Sequence, residues 1–203
     1  MKYFFKQGQD LGQTQFNRER LILAAIQELE QLYYMMDTQF EGIYQSEAIE
    51  RKRIYGSNEI HLPGKKQTVR LPGLQRKEIE ALLDRLSKQK PAVFRKGIKF
   101  YQETDNENLV PGDVIFLTKG DIVPADIRVI FERDLAINQK LFTGDDTPIK
   151  KMTSIKDYTC TMASSTGLPN ICLMGTTVVE GMALGIVLGT GKSTYLYKML
   201  TSD

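Results

Sequence analysis

The chain has 203 residues, of which 41% are hydrophobic and 26% charged, and its formal net charge is +2. That supports one ordinary domain, or one domain with a helical appendage, with a composition typical of soluble proteins and enough apolar content for a real core. The near-neutral balance makes no case for a nucleic-acid binder. Two cysteines, Cys160 and Cys172, and a single histidine, His61, offer neither a zinc site nor a disulfide framework, and they suit a reducing cytosol. The longest apolar runs, "LILAAI" and "MALGIVLG", fall far short of the roughly 20 residues of a membrane span. The opening "MKYFFKQGQD" lacks a signal peptide's apolar centre and cleavage site. The chain as it stands therefore reads as soluble.

In chain order, residues 17 to 36 read as one helix, with Leu21, Leu23, Ala24, Ala25, Ile26, Leu29 and Leu32 at helical spacing and Asn17 as N-cap. A second helix starts near Ser46 as N-cap and stops at Gly56, making a helical hairpin with the first. Residues 61 to 73 hold two Pro-Gly pairs around Lys65, Lys66 and Arg70 and read as an irregular connector. Those cations suit a solvated linker, with a membrane-surface contact as the lesser reading. A third helix follows from Leu74, with Ile79, Leu82, Leu83 and Leu86 on one side, until Pro91 ends it.

From Ala92 the period becomes strand-like. "AVFRKGIKFYQ" signals a hairpin turning at Lys96-Gly97. Turns at Pro111-Gly112-Asp113, Gly120-Asp121 and Pro124-Ala125-Asp126 separate further strands, and these residue types act there as structural punctuation. "ICLMGTTVV" and "GMALGIVLG" are expected to form two strands joined at Glu180-Gly181, and "STYLYKML" returns to helical spacing. Many short strands between Gly, Pro and Asp turns indicate an antiparallel sandwich or jelly roll.

Two motifs invite chemistry. "GIVLGTGKST" ends like a phosphate-binding loop, but the required first glycine position is occupied by Ile186 and Gly185 is one residue early. It reads instead as a Gly turn into the last helix, with Ser193 or Thr194 near its cap. "LFTGDDTPIKK" sets Asp145 and Asp146 between Gly144 and Thr147-Pro148. Such a loop binds a cation, positions a water, or simply turns the chain with two solvated carboxylates.

Taken together, "NLVPGDVIFLTKGDIVPADIRVI", "DLAINQKLFTGDDTPIKK" and "MGTTVVEGMALGIVLGTGKST" resemble, in this order and with suitable gaps, the actuator domain of P-type ATPases. "GIYQSEAIERKRIYGSNEI" is similar to the N-terminal segment of the cation-transporting members, and the match covers about residues 40 to 60 and 74 to 195. "DLAINQ" and "NICLMGTTVVEG" resemble the magnesium-transporting branch most. The resemblance implies a mainly β, deformed jelly-roll actuator domain with N-terminal helices, α+β overall. It implies an N-terminal helical segment over residues 1–60, a connector over 61–73 standing where the family has two membrane helices, and the actuator domain over 74–198.

In the family, a Thr-Gly-Glu-Ser loop aligns water against an aspartyl-phosphate held in another domain. By position, Thr143, Gly144, Asp145 and Asp146 are that loop here. A carboxylate suits the task because it accepts the water's proton and orients its lone pair. Asp145 is one methylene shorter than the family's Glu, and Asp146 adds a charge facing an anionic phosphate. The family's ATP and Mg would be handled by phosphorylation and nucleotide-binding domains, partners in cis or in trans together with membrane helices. No cofactor or metal is expected in this chain. Alone it would then be inactive as an ATPase, on the cytoplasmic side of a membrane in a full-length pump. The alternative is a stand-alone, actuator-like soluble binding module that regulates a membrane pump.

Overall fold

The computed structural model describes residues 13–62, 71–155 and 164–201. Lys65, Lys66 and Arg70 of the connector, and Cys160, lie outside the described residues. The first four helices are α1 (Gln13–Ile26), α2 (Leu29–Met36), α3 (Gln45–Tyr55) and α4 (Arg76–Ser87). The strands are β1 (Ala92–Phe94), β2 (Gln102–Glu103), β3 (Val114–Thr118), β4 (Asp126–Asn138), β5 (Ile149–Lys150), β6 (Ile171–Cys172) and β7 (Thr177–Gly189). A one-turn helix α5 (Lys140–Thr143) follows β4, and α6 (Tyr195–Thr201) follows β7.

Among the described residues the seven strands form one antiparallel sheet, in the order β2-β1-β3-β7-β4-β5, with β6 also paired to β4. Its longest ladder joins β4 to β7, from Asp126 opposite Gly189 to Asn138 opposite Thr177. Period-two alternation splits the strand side chains between two faces. Ile115, Leu117, Ile127, Val129 and Val187 pack with Leu109, Val123 and Ala125 from the sheet's own turns. Val114, Ile130, Leu184 and Ile186 pack instead with Leu21, Leu32, Ile79 and Leu196 from the helices. Both faces are thus covered, one by turns and one by helices, giving the mainly β, jelly-roll-like body with helices expected from the sequence. Among the described residues no helix is long and apolar enough to cross a membrane.

Several local expectations hold. The β1–β2 hairpin turns through Gly97 at φ +87°, and Gly56 ends α3 at φ +85°. Asp113 and Asp121 each accept a hydrogen bond from a backbone N–H three residues earlier, Val110 at 3.0 Å and Thr118 at 2.7 Å, as turn aspartates do.

Others are corrected. Residues 17 to 36 are two helices, because tertiary contacts take the carbonyls that would continue α1. Arg128 Nε donates to the Ala24 carbonyl at 3.2 Å and Asn170 Nδ2 to the Ala25 carbonyl at 2.8 Å. The chain then restarts at Glu28, which is extended at ψ 152°. Asn17 lies inside α1 rather than capping it, and the N-cap of α3 is Tyr44, without a side-chain cap, rather than Ser46. Helix α4 ends at Ser87, before the residues preceding Pro91. The first two predicted helices do not form the expected hairpin: α1 packs against α6, while α3 is seated on the Pro111-Gly112-Asp113 turn.

Glu180-Gly181 does not reverse the chain either, since β7 runs through it unbroken. Gly181, at φ +74°, faces Asp134, itself at φ +52°, across a register shift in the ladder. A Cβ at Gly181 would lie 2.2 Å from the Arg133 carbonyl oxygen. The glycine therefore lets two long strands bend together as a bulge instead of closing a turn.

Buried polar side chains fasten the N-terminal segment to the sheet. Arg51 donates through Nη1 to the carbonyls of Met36 and Pro111, both at 2.8 Å, and also pairs with Glu47. Thr38 Oγ1 donates to the Gly112 carbonyl at 2.6 Å. Asn58 Nδ2 donates to the Pro124 carbonyl at 3.0 Å, while its Oδ1 accepts from the Gly191 N–H at 2.9 Å. Beneath the turn, the Asp113 carboxylate meets Arg95 Nη2 at 3.0 Å with both groups buried.

Removing this tight fit has a defined effect. A methyl on Gly112 would lie 2.1 Å from Arg51 Nη1 at φ +94°. Gly112→Ala is expected to lower stability by about 1–3 kcal/mol, read as a lower urea midpoint at unchanged slope. Burial, working against the attraction of Arg95, pushes the Asp113 carboxyl up to about 6. A raised carboxyl holds its proton more tightly in the folded chain. Its stabilising contribution is present below the unfolded value of about 4 and is lost as pH rises through the folded value. The stability of the wild type relative to Asp113→Asn should therefore fall as pH rises across that window and stay level above it. Urea titrations at a series of pH values read this directly, and a rising difference would contradict it.

Candidate functional site

The loop after β4 is closed by β5, which returns to pair Lys150 with Ala136 and Ile149 with Ile137. Between them, Asn138 staples both ends of the excursion. Its Oδ1 accepts from the Lys140 N–H at 2.8 Å and its Nδ2 donates to the Asp146 carbonyl at 2.9 Å. Helix α5 makes a single turn, and Gly144 ends it in the left-handed region at φ +78°, donating its N–H to the Lys140 carbonyl at 2.7 Å.

The inner side of this turn is anchored. Leu141 and Phe142 are buried, and the Phe142 ring meets Tyr195 edge-on with centroids 5.0 Å apart. Gln139, also buried, donates to the Thr166 carbonyl at 2.9 Å. The Pro72-Gly73 turn presses from outside: a Cβ on Gly73 would lie 1.8 Å from the Lys140 carbonyl oxygen, so only glycine fits.

Upstream of α6, Asp126 sets the position of Tyr195. The buried Asp126 carboxylate accepts from the Tyr195 N–H at 2.6 Å and from the Met174 N–H at 2.9 Å. Burial raises its carboxyl to about 6 despite these bonds and the charge of Arg20. Asp126 was legible as a turn residue; its span across three elements was not.

The outer side is open. Thr143, Gly144, Asp145 and Asp146 are all exposed at the sheet's edge. Asp145 Oδ1 accepts from both the N–H and the Oγ1 of Thr147, at 2.9 and 2.7 Å. Those bonds hold its carboxyl below the usual range, so it is a fixed anion at neutral pH. Among the described residues Oδ2 accepts no hydrogen bond and faces solvent. Thr143 Oγ1 accepts from the Asp145 N–H at 3.2 Å, bracing the turn. Asp146 pairs with Lys140 Nζ at 3.5 Å, which offsets part of the extra charge. Such an arrangement presents one oriented carboxylate oxygen on a braced tip, fit to accept a hydrogen bond from water.

Sequence reasoning singled out the four loop residues but missed their supports. Lys151 is one of these: buried, depressed by that burial, and donating through Nζ to the Leu168 carbonyl at 2.8 Å. The signal in hand was its place at the end of "TPIKK", directly after the loop. Nothing in the sequence marked the Phe142–Tyr195 contact or the Pro72-Gly73 brace. Among the described residues no group of three or more His, Cys, Asp or Glu is placed to hold a metal ion.

Comparison with known proteins agrees with this architecture. The magnesium-transporting ATPase, P-type 1, of Escherichia coli is 37% identical over 102 residues, which cover 49% of this chain and 11% of that protein. The calcium-transporting ATPase type 2C member 1 of Homo sapiens is 36% identical over 130 residues, covering 61% of this chain and 14% of that protein. A calcium-transporting ATPase of Bacillus subtilis is 32% identical over 118 residues, covering 58% and 13%. The chain thus corresponds to a small part of each relative's length. Residues 85–202 match the P-type ATPase actuator domain, and on that match, over more than half its length, the chain belongs to the P-type ATPase actuator-domain family.

Proposed function

We propose that the chain acts as the actuator of a cation-transporting P-type pump of the magnesium type, and that its Thr143-Gly144-Asp145-Asp146 loop assists hydrolysis of an aspartyl-phosphate carried by another domain. The observation carrying this reading is the exposed Asp145 carboxylate, ionised, braced by Thr147 and presented by a loop whose inner side is locked. As an ionised carboxylate held by Thr147, it accepts a hydrogen bond from the attacking water and orients it toward the phosphate. Magnesium rather than calcium is favoured by "DLAINQ" and "NICLMGTTVVEG", although calcium-transporting relatives match at similar identity. The pump's phosphorylation and nucleotide-binding domains and membrane helices are the partners, at the cytoplasmic face. Residues 61–73 take the place of two membrane helices between the N-terminal helical segment and the actuator domain.

A second reading, a regulatory binding module, draws on the spelling of the loop, where Asp145 and Asp146 stand for Glu and Ser. Phosphoenzyme decay separates the two. In a pump carrying this domain, Asp145→Ala should slow decay of the aspartyl-phosphate about a hundredfold or more, and Asp145→Glu should retain or exceed the wild-type rate. Decay unchanged by Asp145→Ala, together with a specific partner still captured by that variant, would favour the binding module.

A further inference from the structure

The tip of the β1–β2 hairpin displays side chains that neither core uses. Phe100 is 69% exposed, Tyr101 52% and Ile98 41%, and Tyr44, from the segment before α3, is 50% exposed. Lys96 Nζ lies 4.9 Å from the Tyr44 ring centroid and Lys99 Nζ 5.6 Å from that of Phe100, so cations and rings share one surface. The tip is held in place. Lys96 donates its N–H to the Ile43 carbonyl at 3.0 Å, and Ile98 its N–H to the Arg95 carbonyl at 3.1 Å. The Tyr101 ring packs against Phe94 and Phe116, with centroids 6.1 and 6.3 Å away. Single exposed apolar residues are ordinary, but a cluster on one braced hairpin marks a contact surface.

We propose that this hairpin face is a peripheral contact for an anionic lipid surface. Aromatic rings with a wet edge settle at the headgroup level, and ammonium groups beside them meet lipid phosphates. Residues 95–101 contain Arg95, Lys96 and Lys99 and no carboxylate, and Arg95 is buried against Asp113. The acids within three residues of Tyr44 or of this run are Glu41, Glu47, which pairs with Arg51, and Glu103, at the hairpin's base opposite Ala92. A second copy is a poor occupant, because facing tips would oppose Lys96 and Lys99 to their own charges. This contact is independent of any role of Asp145.

Co-sedimentation of the full chain with phosphatidylcholine vesicles, with and without phosphatidylglycerol, tests it. Binding is expected on the anionic vesicles only, and weaker as salt is raised. Lys96→Gln with Lys99→Gln should weaken binding about thirtyfold, the loss of two surface cations. Phe100→Ser should also weaken it, with circular dichroism unchanged since the side chain is exposed. No binding, or equal binding to neutral vesicles, would overturn the proposal. So would binding untouched by these variants, which would move the contact to cations elsewhere such as Lys65, Lys66 and Arg70. A concentration-dependent dimer abolished by Phe100→Ser would replace the lipid with a second copy.

Discussion

The geometry of the loop depends on one buried carboxylate. Asp126 opens β4 and accepts two backbone N–H groups, from Met174 before β7 and from Tyr195 at the start of α6. Tyr195 then supplies the ring on which Phe142 packs, and Phe142 sits one residue before Thr143. An aspartate at one end of a thirteen-residue strand thus acts, through Tyr195, on the loop that follows the other end, because the bulged β4–β7 ladder bends far enough to bring the two ends near each other. Burying a carboxylate is costly unless its lone pairs are used, and here both oxygens accept hydrogen bonds.

The same economy joins the N-terminal segment to the sheet. Arg51, Asn58 and Arg95 spend their donors on backbone carbonyls and on Asp113, at the Pro111-Gly112-Asp113 turn and around Pro124. These are specific fasteners rather than generic burial: Gly112 leaves no room for a methyl beneath Arg51. The turn residues that punctuate the sequence are therefore also the sockets into which the helical segment plugs. That makes the N-terminal helices and the sheet one packed body, with the open loop at its edge.

Much of this was legible in the sequence wherever local chemistry decides. Gly56, Gly97 and Gly144 sit at positive φ and end or turn elements as their residue type implies, and the continuous apolar run after the Pro111-Gly112-Asp113 turn marks β3. Long-range hydrogen bonds were not legible. The break after Ile26 comes from Arg128 and Asn170, more than a hundred residues away in the chain, reaching the last carbonyls of α1. Glu180-Gly181 has the spelling of a turn, yet the partner strand's Asp134 bulge makes the glycine a bend within β7. At the loop, the four exposed residues could be named from their motif. The bonds from Thr147 that fix Asp145, the Lys140 partner of Asp146 and the Pro72-Gly73 brace needed three-dimensional geometry.

Against the Thr-Gly-Glu-Ser loop it resembles, this loop has a shorter carboxylate and one more charge, and each difference has a local counterpart in the structure. Asp145 is held by Thr147 with one oxygen left outward, and Asp146 is partly neutralised by Lys140. Whether that arrangement works as an actuator is most directly tested by grafting residues 85–202 of this chain into a full-length P-type pump in place of the host's own actuator, then following the aspartyl-phosphate in a pulse-chase. The account predicts that phosphoenzyme forms and decays at a rate within about tenfold of the host's, a loss of no more than 1.4 kcal/mol in the barrier. A phosphoenzyme that forms normally but persists, even when Asp145 is changed to Glu, would contradict it.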